Sequence, residues 1–275
     1  MERMSTSSRA VTAFLAIAII VACGGQPQAS SPTTSGPAPA PSQSISVTDG
    51  ESVIRAMHAR YVGRWYKDIT FNQTTTLLGQ TGQNNDQAWY VAIAAPGKQR
   101  IDYVNPDLGN GILVRADSTY YFAGGRAVRG SVGWSDLLLL TQDVYMQPPE
   151  VTISILRSLG YQMSRLRTSS FDSRTTYVVG SSSVTDSASK QFWVERDRML
   201  LVRLREKRGE GQFSDIRLGD FIKAGDAWIA KQTYQLLNGM PRLHQQIAGV
   251  KTDTPLNPDL FEPKLYGSVK HWSKP

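Results

Sequence analysis

The chain has 275 residues, 40% of them hydrophobic and 19% charged, with a formal net charge of +7 and one cysteine. This composition excludes a chain disordered throughout and a disulfide-stapled scaffold, and one thiol cannot form an internal disulfide. A basic balance of this size favours anionic lipid head groups or peptidoglycan as contacts over nucleic acid in an exported protein.

The first residues read as an export signal. Arg3 and Arg9 stand against Glu2, and Ala10 to Ala22 is then apolar except for Thr12. That is the order of a basic segment followed by an apolar core. The run is well short of the roughly 20 residues that a permanent membrane helix needs, and no second long apolar run follows. It ends Ile20-Val21-Ala22-Cys23, which resembles the bacterial lipobox, where the cysteine thiol takes a diacylglycerol and further acylation adds a chain of the palmitate type. Residues 1–22 are therefore predicted to be a lipoprotein signal peptide, and Cys23 the lipidated first residue of the mature protein. More than one chain makes such anchoring stable. Gly24 follows in place of the aspartate that retains some lipoproteins at the inner membrane, which favours the outer membrane facing the periplasm.

Residues 23–47 hold the lipidated cysteine and a Gly, Pro, Ser, Thr and Gln tract that cannot bury enough surface to offset its ordering entropy, so a disordered linker is predicted. Removal of the signal takes two Arg and one Glu and leaves a net charge of +6. Residues 48–275 are long enough for one domain that buries about 70 to 75% of its unfolded surface.

Within that domain Thr48-Asp49-Gly50-Glu51 has the pattern of a capping box, so a helix is predicted to start there. Val53, Met57, Tyr61 and Trp65 recur every fourth residue and give it a broad apolar face. Beyond Ile69 the period changes to two. Strands are predicted over 69–77, 89–95, 98–104, 112–116 and 119–123, with hairpins about Pro96-Gly97 and Asp117-Ser118. A second helix is predicted from Pro149 to Gly160, with proline in its first turn and glycine at its end. Strands then resume over 164–171, 174–180, 190–195, 199–206, 213–222, 227–237 and 240–250, and Asn238-Gly239 is a strong hairpin signal. The reading is a mainly β, α+β domain: a single unclosed antiparallel barrel or strongly curved sheet of about 10–11 strands, with helices on its concave side.

Catalytic patterns are scarce. His58, His244 and His271 have no metal-ligand spacing, and Cys23 is consumed by lipidation, so no metal and no cofactor are expected. Gly130-Ser131-Val132-Gly133 is similar to a nucleophile elbow, but Arg129 stands where the first glycine belongs. Asp215 and Asp220 need a cleft to act as acid and base. No enzyme is expected. Arg196, Arg198, Arg203 and Arg205 form the densest basic stretch, read either as a solvated hairpin face or as a docking surface for acidic partners or head groups.

The stretch from Trp89 to Tyr103 carries Pro96-Gly97-Lys98-Gln99-Arg100 before a strand and continues into Gly111 to Asp117 and Thr119 to Phe122. With Gln191 to Arg203 and the closing Leu256 to Pro263, this ordered set resembles the LolA/LolB lipoprotein-carrier superfamily over about Val53 to Pro263. Ser118 replaces the glycine of the second turn. The resemblance implies an unclosed barrel whose helices enclose an apolar cavity for acyl chains of lipoproteins or other lipids, with no catalytic triad. Alternation then proposes Met57, Tyr61, Trp65, Val91, Ile93, Tyr120, Phe122, Leu200, Val202 and Leu204 as cavity residues. The expected function is that of a membrane-anchored lipoprotein that binds acyl chains and takes part in sorting or transfer; the alternative is a non-catalytic adaptor that uses the same fold to dock an envelope protein partner.

Overall fold

A computed structural model describes residues 46–79, 83–186 and 188–273. The export signal, Cys23 and most of the linker lie outside the described residues. The first helix, α1 (Gly50–Tyr61), is capped one residue later than the sequence pattern suggests: Asp49 accepts from the Ser52 backbone N–H, and the Ser52 hydroxyl accepts from the Asp49 backbone N–H. Trp65 lies just past its end.

Five strands follow, β1 (Asp68–Leu78), β2 (Asn84–Ala94), β3 (Lys98–Tyr103), β4 (Gly111–Arg115) and β5 (Ser118–Ala123). After β6 (Arg126–Val132) come α2 (Asp136–Thr141) and α3 (Pro149–Ser158), joined through a 3-10 turn at Asp143–Tyr145. The second run comprises β7 (Leu166–Phe171), β8 (Arg174–Val179), β9 (Gln191–Glu195), β10 (Leu200–Lys207), β11 (Phe213–Ala224), β12 (Ala227–Leu237) and β13 (Met240–Thr252).

These strands make one 13-stranded antiparallel sheet in the order β6-β5-β4-β3-β2-β1-β13-β12-β11-β10-β9-β8-β7. The two meanders meet where the first strand pairs with the last, Gln73 opposite Ile247 and Thr75 opposite Gln245. The sheet stays open, with β6 and β7 as its edges. This topology dictates the place of the helices. The connection between β6 and β7 must run from one edge of a curved sheet to the other, so α2 and α3 form a strap across the inner face, where they meet α1.

Apolar alternation fills that inner side. Ile69 and Phe71 of β1, Val91 and Ile93 of β2, and Leu243 and Ile247 of β13 share one buried cluster with Met57 of α1, Leu140 of α2 and Leu156 of α3. Two smaller clusters lie on the outer face. Leu113 and Phe122 pack beneath Leu260, Phe261 and Tyr266 of the C-terminal segment, and Val178, Trp193 and Val202 form the other. None of the described helices is long and apolar enough to cross a membrane.

Two elements fall outside the sequence expectations. In α2 every residue is buried, so Leu137 to Leu140 shows no polar face from which a helical period could be read. In β6 every residue is exposed, so no alternation marks the strand. The glycines and serine once compared with a nucleophile elbow belong to this edge strand and the bend after it.

Candidate functional site

The inner face and its helical strap meet along an aromatic seam. At the seam between them, Trp65 stacks on Tyr145 with ring centroids 3.9 Å apart, and Tyr61 meets both edge-on at 4.9 and 5.2 Å. Pairs of this geometry add to the burial of their area. The polar ends of these rings are tied down. Trp65 Nε1 donates to Gln142 Oε1 at 3.1 Å, Tyr61 Oη to the Arg198 carbonyl at 2.8 Å and Tyr145 Oη to the Met199 carbonyl at 3.0 Å. Both phenols are pushed above the ordinary tyrosine range, chiefly by burial. They are therefore neutral donors that hook the helical layer to the β9–β10 turn.

The strap has two further hooks. Gly97 N–H donates to Asp143 Oδ1 at 3.0 Å, fastening the 3-10 turn to the β2–β3 turn. Burial lifts the Asp143 carboxyl to about 7, against a smaller lowering by that hydrogen bond. At the far side Asp136 Oδ2 lies 2.8 Å from Lys190 Nζ and accepts from Tyr161 Oη at 2.9 Å. These attachments are short-range polar contacts made by side chains, and Leu137 to Leu140 of α2 and Leu156 of α3 add apolar packing against the inner face. The seam itself holds a void of about 20 Å³ lined by residues that include Trp65, Tyr145, Leu200, Leu218 and Trp228.

Seven of the ten proposed cavity residues, Met57, Tyr61, Trp65, Val91, Ile93, Leu200 and Leu204, are buried together on the inner side. The other three face outward. In β5, Thr119 pairs with Val114 and Tyr121 with Ile112, which sets Thr119 and Tyr121 inward and Tyr120 and Phe122 outward. Three successive aromatic residues made both faces equally apolar, and alternation alone did not choose between them. Phe122 is covered instead by Tyr266, stacked at 3.8 Å. Val202 turns outward because the β9–β10 pairing shifts between Leu201 and Arg203, and a bulge resets the phase of the strand.

The basic stretch splits in two. Arg196 and Arg198 sit in the β9–β10 turn, where Arg196 pairs with Asp197 and Arg198 pairs with Glu195 between the rings of Phe221 and Trp228. Arg203 and Arg205 lie on the outer face of β10. Arg203 grips Asp215 with two hydrogen bonds of 2.7 Å, and Arg205 lies over Phe213. Asp215, held below the usual carboxylate range by Arg203 and Arg217 despite its burial, is thus an ion-pair partner on the outer face.

Sequence reasoning missed a buried ionic cluster on that outer face. Arg100 on β3 is bidentate to Asp102, Nε to Oδ2 at 2.8 Å and Nη2 to Oδ1 at 2.9 Å, and also donates to the Tyr266 carbonyl at 3.0 Å. His271 Nε2 lies 3.1 Å from Asp102 Oδ2, and its Nδ1 lies 2.7 Å from Ser273 Oγ. The residue types are those of a serine hydrolase, yet the roles differ. His271 Nδ1 also accepts the Ser273 backbone N–H at 3.2 Å, so the two residues form a local turn. Arg100 engages both carboxylate oxygens of Asp102, so that carboxylate serves the ion pair first. The cluster fastens the C-terminal segment to the sheet. Its sequence signal was the Arg-x-Asp spacing, which puts both side chains on one face of a strand.

His58 Nδ1 is 3.3 Å from the Val144 carbonyl and His244 stacks on Tyr234 at 4.4 Å, so the three histidines are far apart in role. Among the described residues no group of three His, Cys, Asp or Glu side chains is placed to hold a metal.

An open antiparallel sheet of this topology, strapped on its inner side by helices, is the LolA-like fold. Three solved structures share it. One is a domain described as an outer-membrane lipoprotein-sorting protein from Vibrio parahaemolyticus, with a TM-score of 0.57 and 11% identity over 79% of this chain and 98% of that one. Another is a LolA superfamily protein from Nitrosomonas europaea, with a TM-score of 0.50 and 13% identity over 78% and 98%. A DUF1329 family protein from Desulfovibrio piger gives a TM-score of 0.51 and 14% identity over 78% and 95%. No protein-family model matches the sequence, and no curated protein matches it.

Proposed function

We propose that this protein is a lipoprotein of the bacterial envelope, anchored through lipid on Cys23 and favouring the outer membrane, whose domain binds acyl chains of lipids or lipoproteins on its inner face and takes part in their sorting or transfer. The reading is non-catalytic: sequestration removes acyl surface from water at about 25 cal/mol per Å². The observation that supports it best is the construction of the helical layer. A broad apolar sheet face is covered by helices fastened at their seam by a few side-chain hydrogen bonds, those of Tyr61, Tyr145 and Asp143 among them. An acyl chain far exceeds the 20 Å³ void at that seam, so uptake requires the strap to shift and the aromatic stack to part. The fold neighbours include a protein described as lipoprotein-sorting, which agrees with this reading.

The test is retention and release of lipid. Protein extracted from membranes is expected to carry non-covalent acyl lipid in native mass spectrometry and, once delipidated, to take up a fluorescent fatty acid. Cys23→Ala is expected to abolish membrane attachment and leave probe uptake intact. Protein that emerges without lipid and never takes up the probe would overturn the binding reading and leave the adaptor alternative.

A further inference from the structure

The inner face is not apolar throughout. Where the two meanders meet, it carries Gln73 on β1, Gln245 on β13, Gln235 on β12 and Ser214 on β11, all buried, between 0 and 5% exposed. Their register forms a straight diagonal. Gln73 pairs with Ile247 and Gln245 lies two residues on; Gln245 pairs with Thr233 and Gln235 lies two residues on; Gln235 pairs with Ile216 and Ser214 lies two residues further. Each step joins diagonal neighbours on one face, about 7–8 Å apart and within reach of long side chains. Ile247, Leu243 and Ile216, which alternate with them, belong to the apolar core of the inner side.

Five polar atoms of these four side chains are unpaired. Gln73 Nε2 donates to Thr75 Oγ1 at 3.1 Å, but Gln73 Oε1, Gln235 Oε1, Gln245 Oε1, Gln245 Nε2 and Ser214 Oγ have no hydrogen-bond partner. Among the described residues eleven buried side-chain atoms are in this condition, and five of them lie on this one diagonal. Buried polar atoms are nearly always paired, so a concentration of exceptions calls for an occupant that pairs them. The inventory says what kind. Three amide oxygens only accept, one amide nitrogen only donates, and one hydroxyl does both. A ligand offering ester carbonyls alone would satisfy the nitrogen and the hydroxyl and leave all three oxygens bare. The niche calls for O–H or N–H donors on an uncharged group, since none of its four side chains ionises.

We infer that the Gln73–Gln245–Gln235–Ser214 diagonal is a head-group site that selects acyl lipids carrying uncharged hydroxyl or amide donors, such as a glycerol hydroxyl or an N-acyl amide. The inference rests on the acyl-binding reading above and adds to it a preference by head group. An acyl chain occupies the apolar surface under the strap, and its polar end reaches the diagonal. The selection is one of unpaired partners: a ligand without donors leaves buried acceptors unmet, and discrimination follows from that penalty.

The experiment compares two ligands with the same saturated chain, a monoacylglycerol and a fatty acid methyl ester, binding to the delipidated full-length protein. The monoacylglycerol is expected to bind about tenfold more tightly, the effect of roughly one well-made buried hydrogen bond. In Gln245→Leu and in Gln235→Leu the ratio should collapse towards one, while urea unfolding shows each variant folded. Equal affinities in the wild type, or a preference that persists in both variants, would overturn the inference and leave acyl binding standing; a diagonal merely filled by ordered water gives that result. Absence of binding by either ligand would overturn both.

Discussion

Two buried polar regions of this molecule invite comparison. On the outer face Arg100, Asp102 and His271 are charged or ionisable, and Asp102 is bonded by both neighbours; on the inner face Gln73, Gln235, Gln245 and Ser214 are neutral and carry unpaired atoms. Burial of Asp102 raises its pKa, yet the hydrogen bonds from His271 and Arg100 outweigh burial and hold it below the ordinary 3.8. A fully paired cluster is a fastening, because any change leaves a charge unmet. An unpaired one is destabilising as it stands and is relieved by an occupant that pairs it or by an apolar replacement. On the reading proposed above, the difference separates what holds the fold from what the fold would offer to a ligand.

The largest expected effect breaks the fastening. Asp102→Ala removes the partner of a guanidinium that is 2% exposed, and a loss of about 3–5 kcal/mol in urea unfolding is expected. A loss below about 1 kcal/mol, the range of an exposed pair, would show that the cluster is not the lock described.

The second sharpens the comparison through pH. Asp143 has a folded pKa of about 7, above its ordinary 3.8. Its contribution to stability is therefore full below the unfolded value and lost as the pH rises through about 7, a fall of up to roughly 4 kcal/mol. Asp102 runs the other way: held low, it contributes above the unfolded value, and that is lost as the pH falls through its folded pKa. Asp143→Asn should flatten the loss between about pH 4 and 7, seen as a melting temperature that no longer drops over this window, and leave the acid limb unchanged.

A smaller effect concerns the seam. Tyr145→Phe keeps the stack on Trp65 and deletes the hydrogen bond to the Met199 carbonyl, which is expected to cost about 0.5–1.5 kcal/mol and to speed uptake of an acyl probe in stopped-flow fluorescence. Slower uptake would contradict the role given to this hook. Smallest in size and opposite in sign is Gln245→Leu. Replacing an unpaired buried amide by a near-isosteric apolar group should leave the ligand-free protein as stable or up to about 1 kcal/mol more stable by urea titration.

Much of the sheet was legible from sequence wherever one face of a strand is buried and the other exposed, as from Phe71 to Thr75 of β1. The Asn238-Gly239 turn and the alternation through Val91 and Ile93 fixed hairpins and facing correctly. Legibility failed where both faces are apolar, as at Tyr120 to Phe122, and where a bulge shifts the phase, as at Val202. α2 escaped because it is buried all round. The polar diagonal could not be read at all: glutamines on an alternating strand look like a solvated face, and only the pairing of β1, β13, β12 and β11 shows that they share the inner face with Ile247, Leu243 and Ile216. The Arg100–Asp102–His271 cluster depends likewise on a contact across 169 positions of the chain.

The central claim is that the inner face receives an acyl chain when the helical strap yields. Hydrogen exchange of the delipidated protein with and without a saturating monoacylglycerol tests it most directly. The account predicts faster exchange in α1, in the α2–α3 strap and at the β9–β10 turn that Tyr61 and Tyr145 hold, with slower exchange along β1, β12 and β13. An exchange pattern unchanged by the ligand, or protection confined to the outer face, would contradict it.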